Sequence, residues 1–365
     1  MKKYLLLIAA ISFSIVVNAQ LTCFAATNES VSRQGRTIVN NQGAIELISS
    51  ASSVGFQFEG DSCSVSFKNI ASPGDYNYLA LEIDGEYAGR IRVKGTDMQS
   101  FVITPLKKLA WHSLRIFKAT EAQNGVVAYY SVRALKLKPL TKNNNLKVEF
   151  IGNSITCGMG NDLQQIPCGS EKWYDQHNAY WSYAALTARA LEADFMLSSI
   201  SGAGIYRNWN SDGPTVPLQY ESAYLITDSL RKWDFKTFIP DIVMVALGTN
   251  DLSNGDGTKQ RLPFDSEIFI REYIKFIGAI YTNYPEAKII LLTSPMIEVK
   301  RSETLLMCLE TVKTEATQQY PGSKEIEIFR FTAVPSTGCS GHPTIEEHKM
   351  MASQLIPFVR EMVKK

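Results

Sequence analysis

The sequence predicts an all-β sandwich followed by an α/β domain built on a parallel sheet. Three observations predict it. Short β-prone runs punctuated by turn signals fill the chain up to about residue 140. Beyond that point apolar strand candidates alternate with helical periodicity. Between the two patterns stand Lys138-Pro139 and the polar run 142–145, which read as a boundary.

Residues 1–19 fit neither pattern. Lys2 and Lys3 precede an apolar run, 5–17, that is too short to span a bilayer, and Val17-Asn18-Ala19 supplies a cleavage site. This segment is expected to be a signal peptide, with Gln20 as the mature start and an exported product. Cys23 offers the alternative of a lipid anchor. However, Gln20-Leu21-Thr22 lacks the small residue expected just ahead of a lipidated cysteine. No later stretch is long and apolar enough for a transmembrane helix.

Residues 20–141 carry the strand signals of the sandwich: 54–58, 64–67, 78–83, 90–93 and 113–117, with Asp84-Gly85 as a hairpin turn between two of them. Several short strands at regular spacing argue for a sandwich over an open sheet. Residues 146–365 carry the α/β pattern. Strands are expected at 148–151, 195–200, 242–247, 289–293 and 326–331, and helices near 179–192, 266–284, 303–320 and 345–363. Near-continuous apolar strands with intervening helices indicate a parallel sheet covered on both faces. Ligands of such sheets bind beyond the carboxyl ends of the strands. Ser154, Gly202 and Asn250 each follow a strand candidate, so they should gather on that edge.

The net charge of +1 gives no pull toward nucleic acid or a membrane surface. Six cysteines in an exported chain may pair, in fifteen ways, and the sequence does not choose among them. No CxxC or Cys/His cluster has zinc spacing, and no metal or organic cofactor is expected. Cys157 and Cys339 lie next to candidate site residues. They should therefore be near one another if those residues meet.

The chemistry-bearing residues sit at element boundaries. Ser154, in Gly152-Asn153-Ser154-Ile155, is the candidate nucleophile, lifted into a turn where a base can take its proton. Gly202, in Ser201-Gly202-Ala203-Gly204, lets a backbone N–H approach a substrate closely. Asn250, in Gly248-Thr249-Asn250-Asp251, can donate its side-chain amide to a developing oxyanion. His342, in Gly341-His342-Pro343, is the candidate base, with His177 as its rival. Each block alone is also an ordinary turn or helix cap. His112 and His348 are read as bystanders, one beside the sandwich strands and the other on the solvent face of the last helix. Trp209, among polar loop residues, is the candidate for stacking on a bound substrate, ahead of Trp173 and Trp181.

Taken together, the four blocks resemble the SGNH (GDSL-like) hydrolases, whose motifs centre on a serine, a glycine, an asparagine and a histidine. The whole chain is similar to carbohydrate esterase family 2, in which a jelly-roll sandwich precedes an SGNH domain. The likeness extends to Gly35-Arg36-Thr37, Ser154-Ile155-Thr156-Cys157-Gly158-Met159-Gly160, Pro240-Asp241-Ile242-Val243 and Gly338-Cys339. It implies a three-layer α/β/α domain and removal of acetyl groups from plant-type polysaccharides or oligosaccharides of the xylan or glucomannan kind. In that reaction Ser154 and His342 would be catalytic, and the N–H groups of Ser154 and Gly202 with the Asn250 amide would form the oxyanion hole. Two positions depart from the SGNH pattern. Asn153 replaces the usual aspartate, and Cys339-Ser340-Gly341 stands where an aspartate normally precedes the histidine. The resemblance therefore implies a Ser–His dyad, its imidazole oriented by a main-chain carbonyl that keeps the productive tautomer. The alternatives are a lipase or thioesterase on the same fold, or a carbohydrate-binding protein whose catalytic machinery has decayed.

Overall fold

The computed structural model describes residues 20–141, 146–226 and 230–364; the expected signal peptide and the boundary run 142–145 lie outside the described residues. The first part contains strands β1 (Thr22–Ala25), β2 (Ser32–Gln34), β3 (Thr37–Val39), β4 (Ile45–Leu47), β5 (Ser53–Glu59) and β6 (Cys63–Ile70). It continues with β7 (Tyr76–Ile83), β8 (Glu86–Lys94), β9 (Met98–Ile103), β10 (Trp111–Lys118), β11 (Val126–Ala134) and β12 (Leu137–Lys138). Two antiparallel sheets result. One has the order β3-β4-β11-β6-β9, with β1 also pairing β11; the other has the order β12-β5-β10-β7-β8, with β2 also pairing β5. Asp84-Gly85 joins β7 to β8, as expected. Period-2 burial builds the core: Cys63, Val65 and Phe67 of β6 point inward while Ser64 and Ser66 do not. They meet Phe56, Phe58, Leu114, Ile116 and Tyr129 between the sheets.

The second part is a five-stranded parallel sheet of order β14-β13-β15-β16-β17. Its strands are β13 (Lys147–Gly152), β14 (Asp194–Ser199), β15 (Ile242–Ala246), β16 (Lys288–Leu292) and β17 (Ile326–Phe329). The helices are α1 (Ser154–Cys157), α2 (Tyr183–Ala190), α3 (Val216–Tyr220), α4 (Thr249–Leu252), α5 (Ser266–Asn283), α6 (Val299–Gln319) and α7 (Ile345–Lys364). Alternate strand residues feed two apolar layers. Val243, Val245, Ile289 and Leu291 pack with Phe269 and Ile277 of α5 and Leu309 and Val312 of α6. Phe150, Leu197, Met244 and Ile290 pack with Ala184 and Ala188 of α2 and Leu355 and Val359 of α7. The chain runs from β13 to β14 on one side and from β15 to β16 on the other, which makes the carboxyl ends of neighbouring β13 and β15 the crevice of a doubly wound sheet.

Three expectations change. The helix expected over 179–192 splits into a 3-10 turn, Ala179–Trp181, and α2, because Ser182 caps the latter by accepting from the Ala185 N–H at 3.3 Å. Helix α6 begins at Val299, a full turn before the apolar periodicity starts. His348 is not on the solvent face but fully buried. Among the buried residues of α7, Ile345, His348, Ala352, Leu355 and Val359 recur at helical spacing, so the apolar stripe carries the imidazole inward. There Nδ1 accepts the Tyr183 N–H at 3.1 Å, one of the donors that α2 cannot satisfy itself. His112 is likewise buried, with Nδ1 2.7 Å from Asp84 Oδ2.

The sandwich packs directly against the α/β part through a shared apolar cluster. Tyr76, Tyr78, Phe117 and Ala119 belong to the same apolar cluster as Phe150 and Leu355. Fully buried Arg36, between β2 and β3, crosses the seam. It donates to the Tyr220 and Ser222 carbonyls at 3.1 and 2.7 Å and to Ser198 Oγ at 3.1 Å, and its guanidinium stacks on Trp233. Ser198 and Tyr220 in turn donate to the buried Glu149 carboxylate. Burial pushes that carboxyl up, and Arg36 opposes the effect. Removing the cation leaves the anion uncompensated. Arg36→Met should therefore lose about 3–5 kcal/mol of folding free energy, measured by chemical denaturation, even though the side chain is about the same size.

Candidate active site

Strand register brings the predicted residues to one rim. Gly152 pairs with Ser199 on one side and Ala246 on the other, so β14, β13 and β15 end level. Adjacent strands lie about 4.8 Å apart. Ser154 opens α1 just beyond β13, Gly202 follows β14, and Asn250 lies in α4 beyond β15. Asn153, despite replacing an aspartate, still caps α1, accepting the Ile155 N–H at 3.2 Å.

His342 Nε2 lies 2.8 Å from Ser154 Oγ. The ring's other nitrogen, Nδ1, faces the Ser340 main-chain carbonyl at 3.1 Å. A carbonyl can only accept, so Nδ1 carries the proton and Nε2 is free to take one from the serine. The carbonyl reaches this position because Ser340 adopts a left-handed conformation, φ 54 and ψ 32. Burial pushes the His342 imidazole below its ordinary range, partly offset by the Ser340 carbonyl.

The turn that carries His342 is laced to the loop after the serine. The Cys339 N–H donates to the Gly160 carbonyl at 3.0 Å, and the Ile345 N–H to the Asn161 carbonyl at 3.1 Å. Gly160 has φ +66, and a Cβ there would sit 2.7 Å from the Cys339 carbonyl oxygen, so no other residue fits without moving the turn. Cys339 also forms a disulfide with Cys168, tying the loop that carries Cys168 to the same turn. Its partner is thus not Cys157, which is a buried thiol touching Glu121 and Ser199.

Among the described residues, neither the Ser154 nor the Gly202 N–H has a hydrogen-bond acceptor, so both donors remain available. The Asn250 amide spends one N–H on the Ala203 carbonyl at 2.8 Å and keeps the other. Its neighbour Asp251, fully buried, accepts the N–H groups of Ile205, Tyr206 and Arg207 at 3.0, 3.0 and 3.3 Å. This anchors the loop that follows Gly202. Trp209 is exposed and lines two cavities, one of about 670 Å³ that reaches Gly202 and one of about 880 Å³ that runs to Phe264. Trp173 is exposed too and packs edge-on against His177, whereas Trp181 packs against Tyr87 and Tyr180.

The rival base, His177, is fully buried with Nε2 3.5 Å from Glu121 Oε1, while Ser154 Oγ is engaged by His342. Glu121 itself had no signal in the sequence. It comes from the sandwich, just beyond β10, yet its carboxylate accepts the Ser201 N–H at 2.8 Å and the Cys157 thiol at 3.3 Å. Burial raises its pKa, but His177 and Ser201 outweigh that effect and hold it below the usual carboxylate range.

Two family models match the chain: the carbohydrate esterase 2 N-terminal family over residues 33–142 and the GDSL-like lipase/acylhydrolase family over residues 150–327. In this order the two matches are the arrangement of carbohydrate esterase family 2, to which the similar proteins belong. The chain is accordingly an esterase, with a jelly-roll-like sandwich ahead of an SGNH domain. It is 29% identical over 345 residues to the cellulase/esterase CelE of Acetivibrio thermocellus, covering 91% of this chain but only 39% of that longer relative. It is 26% identical to an acetylxylan esterase/glucomannan deacetylase of Cellvibrio japonicus, covering 83% of this chain and 82% of the relative. A family two carbohydrate esterase from Clostridium thermocellum, solved in complex with cellohexaose, superposes with a TM-score of 0.79 at 27% identity, over 92% of this chain and 99% of that one. The GDSL-like match ends before His342, so that residue is placed by geometry alone.

The environments of two histidines can be tested by NMR titration of their ring protons. His342 should titrate below the ordinary midpoint of about 6.5, and buried His348 should stay neutral down to about pH 3. The unfolded chain binds the His348 proton near 6.5 and the folded chain only near 3. Folding stability from this group is thus complete above about pH 6.5 and lost as pH falls below it.

Proposed function

We propose that this esterase is an exported carbohydrate O-acetyl esterase that works through a Ser154–His342 dyad. The observation that carries the reading is the 2.8 Å contact from His342 Nε2 to Ser154 Oγ, with Nδ1 held by the Ser340 carbonyl. In the proposed mechanism His342 takes the serine proton as Oγ attacks an acetyl carbonyl. The Ser154 and Gly202 N–H groups and the remaining Asn250 N–H receive the oxyanion, where losing one such donor typically costs about 10²–10³ in rate. His342 then protonates the departing sugar hydroxyl, and water, activated by the same imidazole, releases acetate. The depressed pKa of His342 suits this role, since the base is neutral at ordinary pH.

The names of the relatives, acetylxylan esterase and glucomannan deacetylase, favour acetylated plant polysaccharides of the xylan or glucomannan kind as substrates. Exposed Trp209 beside the cavity that reaches Gly202 is suited to stack on a sugar ring. We take residues 20–141 and 146–365 as the two domains, with 1–19 as the export signal. Among the described residues no helix is long and apolar enough to cross a membrane.

Aryl esters of increasing chain length, and acetylated xylan and glucomannan, test the proposal. Acetate should be the preferred acyl group, and Ser154→Ala should lose at least about 10³-fold in kcat/KM. A preference for long chains would assign the chain to lipases or thioesterases, and equal rates for wild type and variant would leave a binding protein. Ser340→Ala should keep most activity, because the group that orients His342 is main chain; a loss near 10⁴-fold, as when a triad acid is replaced by a neutral amide, would assign that role to the hydroxyl.

A further inference from the structure

The Ser201–Gly202 peptide is gripped from the sandwich. The 3-10 turn Ala122–Asn124 follows β10 and is itself well fixed. Asn124 Oδ1 accepts the Glu121 N–H at 3.1 Å, the Asn124 carbonyl accepts from Asn77 Nδ2 at 2.9 Å, and Lys118 Nζ donates to the Glu121 carbonyl at 2.6 Å. From this frame two side chains reach the same residue. Glu121 accepts the Ser201 N–H at 2.8 Å, and Gln123 Nε2 donates to the Ser201 carbonyl at 2.9 Å.

The second bond matters because of peptide planarity. The Ser201 carbonyl and the Gly202 N–H belong to one trans peptide unit and point in opposite directions. Fixing the oxygen fixes the direction of the N–H. Gly202 cannot do this alone. It has φ +76, no side chain, and open space where a Cβ would stand, so nothing local opposes rotation of the plane. A rotated plane would present a carbonyl where a donor is needed. The next peptide is held separately, by the Trp209 N–H on the Gly202 carbonyl at 2.8 Å.

We propose that Gln123 is a positioning residue of the esterase: it holds the Ser201–Gly202 peptide plane so that the Gly202 N–H stays aimed at the oxyanion. This inference rests on the assignment of Gly202 to the oxyanion hole. Gln123 is exposed, so its replacement leaves the buried frame of Glu121, Asn124 and Asn77 intact.

The test is Gln123→Met, which keeps the length of the side chain and removes the donor. With a small aryl acetate, kcat should fall about 3- to 10-fold, the factor corresponding to one net hydrogen bond. KM should stay within about twofold and the thermal midpoint should not change. Gln123→Lys, which restores an N–H donor, should recover most of the loss. Unchanged kcat in Gln123→Met overturns the inference. So does a loss confined to acetylated glycans, which would make Gln123 a sugar contact, and so does a loss that tracks the thermal midpoint. A second readout needs no catalysis: the Ser201 carbonyl ¹³C resonance should move upfield in Gln123→Met, and an unmoved resonance means that there is no clamp. A wild type without esterase activity, or one whose activity survives Ser154→Ala, defeats the functional reading, while the carbonyl resonance still decides the clamp.

Discussion

The site depends on one return of the chain: the turn at 338–342 must come back to the loop after Ser154 and stay there. Main-chain bonds from Cys339 to Gly160 and from Ile345 to Asn161 set its position. The close approach permitted by Gly160 and the Cys168–Cys339 disulfide set its tightness. Within that frame the left-handed Ser340 aims its carbonyl at His342 Nδ1, and the imidazole is left with one free nitrogen, which faces Ser154 Oγ. An aspartate in this position would add charge. The carbonyl supplies only direction and tautomer, and burial keeps the ring neutral without a counter-ion.

The β-sandwich is part of this architecture and not an appendage to it. Arg36 enters the α/β part as a fully buried cation and is satisfied by carbonyls beyond α3 and by the Ser198–Glu149 chain. Glu121 reaches the carboxyl rim of the same sheet, where it touches both the helix that bears Ser154 and the turn that precedes Gly202. Two buried charges from one half of the chain thus engage the carboxyl end of β14 in the other, one at Ser198 and one just beyond the strand at Ser201. A buried charge stripped of its partners is strongly destabilising, which couples the two halves energetically.

Much of the fold was legible in the sequence because two periodicities carry it. Alternation marked the sandwich strands, and apolar runs with helical spacing marked the parallel sheet and its cover. The level ends of β13, β14 and β15 were implied by three motifs that each follow a strand. What the sequence withheld came from other causes. The start of α6 lacks an apolar stripe, so its first turn gives no signal. His348 was misplaced because a polar residue type outweighed its spacing from Ile345 and Ala352, although the spacing was the better guide. Glu121 and Gln123 were invisible because they act about eighty positions away across a tertiary contact, and a glutamate or glutamine between two strands reads as solvated loop. The cysteine pairing was likewise a tertiary fact: the sequence left all fifteen pairings open, and the loop that passes Cys339 is the one carrying Cys168.

The shared seam has a bearing on how such a protein can be cut and recombined. A hydrolase half excised at residue 146 would bare the apolar face that Tyr76, Tyr78 and Phe117 now cover, strand Glu149 without its cation, and free the Ser201 peptide from both of its holders. The half that bears every reacting group is therefore no portable cassette. In grafting or shuffling this enzyme the unit of inheritance is the pair.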